Sequence, residues 1–351
     1  MRHLFIFNFD VMKRYIIKTL IYSFPVLLPL VIFTCLIRPY MTGDLGNLGY
    51  ITFNCEYSNE DNRIMHDVIN TNYQNAHSCF TDDCILTIGD SFSQTHESGI
   101  SYISYLSLLT NRKVINLESG WLNHNPFVRF LYLSELYQLP KTVVIESVGR
   151  AFCTRISSVN ISQTPQSMIE NGLIDTTTLS KQNSKRSILE NTQNWVKRKI
   201  GIKGYENPVQ HATLSQKFFS CKNRESDLFF IEDDITRINT SDSLMQLVVT
   251  KLDSIFEYAV SKNIDLYILV AADKYDVYQE YIIDNPYPKN DMLEKLSALY
   301  PHPNIINSKD TLSTMVEQGV LDVYWCDDTH WGCVGAEAVA HQVLEVITSK
   351  N

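Results

Sequence analysis

The sequence predicts an α/β domain built on a mostly parallel sheet with helices on both faces, preceded by one transmembrane helix near the amino terminus. Two observations carry this. Short β-rich runs at 84–88, 113–117, 142–147 and 265–271, with a weaker run at 304–307, alternate with stretches of helical periodicity. That alternation marks parallel strands joined by crossover helices. Ahead of them lie nineteen residues without a charge, Thr19 to Ile37, close to the length of a helix that crosses a bilayer core. With 351 residues the chain has room for one large domain carrying an insertion.

Taken in order, residues 1–18 form a cytoplasmic amino terminus and 19–37 a membrane anchor. Pro25 and Pro29 interrupt the apolar stretch, and lipid-embedded helices tolerate prolines. Arg2, Lys13, Arg14 and Lys18 precede the span, while Asp44, Glu56, Glu60 and Asp61 follow it, so the positive flank stays inside and the rest of the chain faces outward. No small-x-small cleavage site follows the apolar run, where Leu36-Ile37-Arg38-Pro39-Tyr40 stands, which favours an uncleaved anchor over a signal peptide. Residues 38–83, rich in Gly, Asn, Asp and Tyr, read as a stalk or lead-in.

The domain proper runs from 84 to 351. Helices are expected at Ile100–Leu109, Phe127–Tyr137, Leu244–Ser261, Met292–Leu299 and Val334–Ile347. Asp242-Ser243 supplies an N-cap to the third of these, whose stripe is Leu244, Leu247, Val248, Leu252, Ile255, Phe256 and Ala259. Residues 151–240, polar and rich in Ser, Thr, Asn and Gln, read as an insertion between the third and fourth strands, with too little apolar content for a core of its own.

The formal net charge of −9 and the lack of clustered Lys and Arg exclude a nucleic-acid surface. Of eight cysteines one, Cys35, lies in the span. Outside the membrane some of the other seven pair in an oxidising compartment, with a connectivity that spacing does not fix. Cys326 and Cys333 either staple the loop between them or are buried thiols. No Cys-x-x-Cys or paired Cys/His spacing occurs, so no metal ligands are assigned, and no cofactor is called for.

Chemistry concentrates in two places. Gly89-Asp90-Ser91-Phe92-Ser93 leaves the first strand directly, and Cys326-Asp327-Asp328-Thr329-His330-Trp331-Gly332 arrives near the far end of the chain. Serine needs a base within hydrogen-bond reach, and the base needs a carboxylate on its other nitrogen. Ser91, His330 and either Asp327 or Asp328 fill those roles. Three-residue spacing suits a turn that folds Asp327 back toward the ring, whereas two-residue spacing puts Asp328 on the side of His330 if the segment is extended. The backbone N–H of Ser91 and one brought close by Gly120, beyond the second strand, are candidate oxyanion donors. His96, His124, His211 and His302 lack such context and read as surface or core residues.

Gly89-Asp90-Ser91 together with Asp-x-His-Trp resembles the SGNH/GDSL hydrolase superfamily, and Asp328-Thr329-His330-Trp331 resembles its alginate O-acetyltransferase-like branch. The resemblance implies a flavodoxin-like three-layer fold. The branch places its aspartate two residues before the histidine, which selects Asp328, while the broader superfamily would select Asp327. Val144-Ile145-Glu146-Ser147-Val148-Gly149-Arg150 and Ala272-Asp273-Lys274-Tyr275-Asp276-Val277-Tyr278 resemble two further segments of the branch. The superfamily's Gly-x-Asn-Asp block is missing, and Arg150 or Asn123 stands in as the oxyanion or substrate contact. The serine here precedes the histidine, whereas the alginate enzymes place Asp-x-His first.

The resemblance implies an outward-facing O-acetyltransferase, single-pass in a bacterial inner membrane with its domain in the periplasm or cell exterior. It would act on a cell-surface or exported polysaccharide and receive its acyl group from a multi-span membrane-bound O-acyltransferase. The same residues with water as acceptor make a carbohydrate or lipid esterase. A third possibility is a non-catalytic glycan-binding assembly subunit, with Trp121, Trp195, Tyr205 and Tyr278 stacking on sugars.

Overall fold

Six parallel strands form the sheet around which the protein is built. The computed structural model describes residues 9–32, 43–47, 50–51, 53, 55–57, 69–70, 80–93, 101–117, 124–174, 197, 202–203, 208–236 and 241–349. In chain order the strands are β1 (Ile69–Asn70), β2 (Ile85–Ile88), β3 (Val114–Leu117), β4 (Thr142–Val148), the hairpin strands β5 (Val209–Thr213) and β6 (Asp227–Ile231), then β7 (Asp265–Ala271) and β8 (Ile305–Asn307). The helices are α1 (Phe9–Ile32), α2 (Asp44–Asn47), α3 (Tyr102–Thr110), α4 (Pro126–Leu136), α5 (Gly149–Ser157), α6 (Pro165–Glu170), α7 (Asp233–Thr236), α8 (Asp242–Ser261), α9 (Lys274–Tyr278), α10 (Met292–Leu299), α11 (Ser308–Glu317) and α12 (Cys333–Thr348).

The sheet order is β1-β3-β2-β4-β7-β8, and every pairing in it is parallel. All residues of β2, β3 and β4 are buried, as expected of strands covered on both faces. From β2 the chain moves to one side, to β3, and from β3 it crosses back to β4 and continues outward to β7 and β8. Right-handed crossovers then put α3 on one face with α12, which packs against it, and α4 and α8 on the other, joined where Ser134 Oγ meets the Tyr258 hydroxyl at 2.8 Å. The reversal falls between β2 and β4, and a crevice opens at the carboxyl ends of strands at such a switch point. Ser91 leaves β2 there.

Local sequence explains the helix ends. Asn125 caps α4 by accepting from the Phe127 N–H at 3.0 Å, with Pro126 at the first helical position. Asn111, just past α3, sits in the left-handed region at φ 49°. α8 begins two residues earlier than expected: Ser241, not Asp242-Ser243, occupies the cap. On its buried stripe Met245 replaces Leu247, which is 42% exposed.

The lead-in segment is more than a stalk. Leu45, Ile51, Cys55 and Tyr57 are buried in the core, and Ile69–Asn70 adds an edge strand beside β3. The 151–240 region lies between β4 and β7, and contains a hairpin with no alternation strong enough to announce it. Phe218, Phe219 and Phe230 bury it against the rings of Tyr278 and Tyr275, so it extends the main core. A disulfide joins Cys55 to Cys221, tying lead-in to insertion. Cys326 and Cys333 do not staple the loop between them: both are free thiols, Cys326 buried. Tyr278, expected as an exposed sugar platform, is fully buried, while Trp121, Trp195 and Tyr205 lie outside the described residues.

In α1, Met12–Ile32 is apolar and long enough to cross a membrane, and its side chains are largely exposed. The expected span of 19–37 begins inside this helix, Pro25 and Pro29 included, and its last five positions lie outside the described residues.

Candidate active site

The register of β2 against β4 sets the floor of the site. Ile88 pairs with Ile145, so Gly89 comes level with Glu146, a carboxylate within the wholly buried β4. Here the chain turns through a short 3-10 segment, Ser91–Ser93, with Ser91 half-buried. Side chains hold the backbone of the turn on both sides of the serine. Glu146 Oε2 accepts from the N–H of Asp90 at 2.7 Å and of Ser93 at 3.1 Å. The Ser93 hydroxyl donates to the Asp90 carbonyl at 2.8 Å, and Asn116 Nδ2 to the Ser93 carbonyl at 2.9 Å. Arg129, fully buried in α4, donates to the carbonyls of Gly89 at 2.7 Å and Leu117 at 3.2 Å, joining the ends of β2 and β3. The Asp90 carboxylate accepts the Val148 N–H at 3.1 Å and a two-nitrogen fork from Arg155. Gly89 is required: a Cβ there would fall 2.6 Å from Glu146 Oε2 and collide with the Ser93 hydroxyl.

The histidine comes from a loop pinned over the same rim. Tyr324 and Trp331 form an antiparallel bridge, and within it Trp325 donates its N–H to the His330 carbonyl at 3.2 Å. Lys274, just beyond β7 and buried, spends its ammonium on three carbonyls of this loop: Trp325 at 2.6 Å, Cys326 at 3.0 Å and Asp328 at 3.1 Å. Burial pulls the Lys274 pKa down, against the opposing pull of Cys326, Asp327, Asp328 and Asp44.

Asp328 and not Asp327 faces the imidazole. Asp328 Oδ1 accepts both the His330 backbone N–H at 2.9 Å and ring Nδ1 at 2.6 Å. A short carboxylate closing on the N–H two residues on is the Asx turn, which puts the i, i+2 pair on one side. Asp327 points the other way, accepting the Tyr57 hydroxyl at 2.5 Å and the Cys55 N–H at 3.3 Å. Burial pushes the imidazole pKa down, but Asp328, its hydrogen bond and Asp44 outweigh it and leave His330 above its usual value.

The Ser91 turn and the His330 loop meet through Phe92, whose ring lies 4.9 Å from the His330 ring and 4.4 Å from Trp331. Phe92, the neighbour of Ser91, thus sets the turn against the loop that carries Asp328 and His330. Arg150 is close by at the start of α5, but its guanidinium pairs with Asp273 and, at 3.2 Å, with Asp234. Gly120 and Asn123 lie outside the described residues.

A family model for the SGNH hydrolase-like domain of the acetyltransferase AlgX matches residues 228–351. The resemblance is to the AlgX type of SGNH domain. The AlgX-type stretch contains Lys274, Asp328 and His330, while Ser91, Glu146 and Arg129 lie before it and join it only through the fold. Among solved structures, a GDSL-like lipase from Parabacteroides merdae is 13% identical, covering 76% of this chain and 96% of that one at a TM-score of 0.34, a likeness too loose to locate any residue. No curated protein matches the sequence.

Sequence reasoning missed Asp44. It sits in the lead-in, far from either motif, yet its carboxylate accepts the Thr329 N–H at 2.9 Å, and Oδ2 stands 3.6 Å from His330 Nδ1. Its own N–H donates to Asp328 Oδ2 at 3.0 Å. Burial, then the neighbouring Asp328 charge, push Asp44 up to about 7. Asp44, Asp328 and His330 offer ligand atoms within 4.8 Å of one another, but the ring nitrogen among them is already bonded to Asp328. Glu146 had a signal that went unused: an acid inside Val143-Val144-Ile145-Glu146 is costly to bury without a purpose.

Proposed function

We propose that the protein is a membrane-anchored O-acetyltransferase that moves an acetyl group onto a hydroxyl of a cell-surface or exported polysaccharide through an acyl-enzyme on Ser91. Ser91 Oγ attacks the donor's acyl carbon while His330 Nε2 takes its proton. Asp328 holds Nδ1–H and so fixes the tautomer that leaves Nε2 free to act as base. The backbone N–H of Ser91 is the donor assigned to the developing oxyanion. Collapse expels the donor's leaving group, which collects the proton from His330, and a sugar hydroxyl then repeats the sequence in reverse on the acyl-serine.

The observation that supports this best is the Asp328–His330 pair standing against the Ser91 turn at the switch point of the sheet. The AlgX-type match supports acetyl transfer, and the apolar helix supports membrane anchoring. The Cys55–Cys221 disulfide fits an oxidising compartment outside the cytoplasm. Replacing Ser91 with Ala in cells abolishes polysaccharide acetylation on this account. Unchanged acetylation in a correctly localised variant refutes it. With purified full chain, release of acetate from p-nitrophenyl acetate that no sugar acceptor alters would make the protein an esterase instead.

A further inference from the structure

We propose that Glu146 is the positioning residue of the Ser91 turn and that it performs this role as a neutral carboxylic acid. The inference rests on the nucleophile assignment of Ser91. Both N–H groups that fix the turn, from Asp90 and Ser93, converge on Oε2. Glu146 is completely buried, and its Oε1 has no hydrogen-bond partner among the described residues. An ionised carboxylate so placed would leave half its charge unsolvated, whereas the acid form carries none. The surroundings push the same way. The charged or titratable groups facing it are Asp90 on the turn, Arg155 on α5, Arg129 on α4, Tyr102 on α3 and His330 on the loop. Of the cations, Arg155 is forked onto Asp90 and Arg129 donates to the Gly89 and Leu117 carbonyls, so neither bonds Glu146. Burial first, then the Asp90 charge, raise the carboxyl to about 8, against the pull of the Asp90 N–H, Arg155 and His330.

Below that value the group behind the serine is neutral. Above it, a second negative charge lies beneath a site that must develop an oxyanion, and serine reactivity falls.

The test measures the rate at which a fluorophosphonate labels Ser91 in the full-length chain in detergent, from pH 6 to 10, for wild type, Glu146→Gln and Glu146→Leu. Wild type loses about tenfold in labelling rate between pH 7 and 9.5. Glu146→Gln, neutral at all pH with an oxygen still able to accept both N–H groups, is a few-fold slower than wild type at pH 7 and loses the alkaline limb. Glu146→Leu, without an acceptor, is slowed on the order of 100-fold at every pH. Superimposable alkaline limbs in wild type and Glu146→Gln overturn the proposal, as does a Glu146→Leu variant as reactive as wild type. A second readout needs no variant to fold well: the carboxyl carbon of Glu146 in 13C-glutamate-labelled wild type, assigned by difference, titrates near pH 8. Titration near 4.5 overturns the proposal. Wild type that takes no label at any pH refutes the nucleophile assignment instead, and the carbon titration then decides the protonation claim alone.

Discussion

Aspartates two and three residues before the same histidine do different work because a backbone turn separates them. Asp328 closes on the His330 N–H and Nδ1, and Asp327 is turned out to Tyr57. Asp328→Asn keeps the shape but offers the ring a donor, favours the wrong tautomer and lowers the labelling or transfer rate on the order of 10³–10⁴-fold; Asp327→Asn leaves the tautomer intact and costs far less, as rate measurements on the pair would reveal. Asp44 adds a pH signature. His330 works as a base only when neutral, so activity rises with pH through its pKa, which Asp328 and Asp44 hold above the ordinary value. Asp44→Asn removes one raising group and moves that acid limb to lower pH in a pH–rate profile, whereas an unmoved limb would mean that Asp44 is silent. Spacing in the sequence left Asp327 and Asp328 both open, and the resemblance to the alginate branch favoured Asp328. Asp44 was not readable, since nothing local marks a residue that reaches the site across 284 positions.

At the scale of elements, each rim segment is short and depends on a neighbour for its shape. The His330 loop has one bridge of its own, and Lys274 reaches three of its carbonyls from the end of β7. Lys274→Met keeps the aliphatic length but strips three buried carbonyls of their donor, each worth about 1–3 kcal/mol when left unsatisfied. The expected result is a loss of at least about 3 kcal/mol in denaturant unfolding, together with slowed Ser91 labelling. A variant as stable and as reactive as wild type would show that the ammonium does not hold the loop. The strands and the longer helices were legible because burial on both faces writes continuous apolar runs and periodic stripes. The β5–β6 hairpin was not, because only one side of it meets the core and β5 itself is mostly half-buried or exposed.

Across the whole molecule, lead-in, insertion and the carboxyl-terminal loop converge. The disulfide links residues 166 apart in sequence, and beside it Cys55 and Tyr57 bond Asp327 while Asp44 bonds Asp328. Replacing Cys55 and Cys221 together with Ala should cost about 2–5 kcal/mol and, by releasing the lead-in, slow Ser91 labelling. A stability loss with unchanged labelling would separate the tether from the site. The sequence by itself determined five of the six parallel strands, the apolar helix ahead of them and the two motifs, because these are written in contiguous patterns of hydropathy and in spacings of a few residues. Only the tertiary structure decided which aspartate meets the imidazole, which cysteines pair, that Arg150 is occupied by Asp234 and Asp273, and that Glu146, Arg129, Lys274 and Asp44 hold the rim. Apart from the local Asp328 turn, those are contacts between segments far apart in the chain, set by strand register and crossover hand, and no local pattern encodes them.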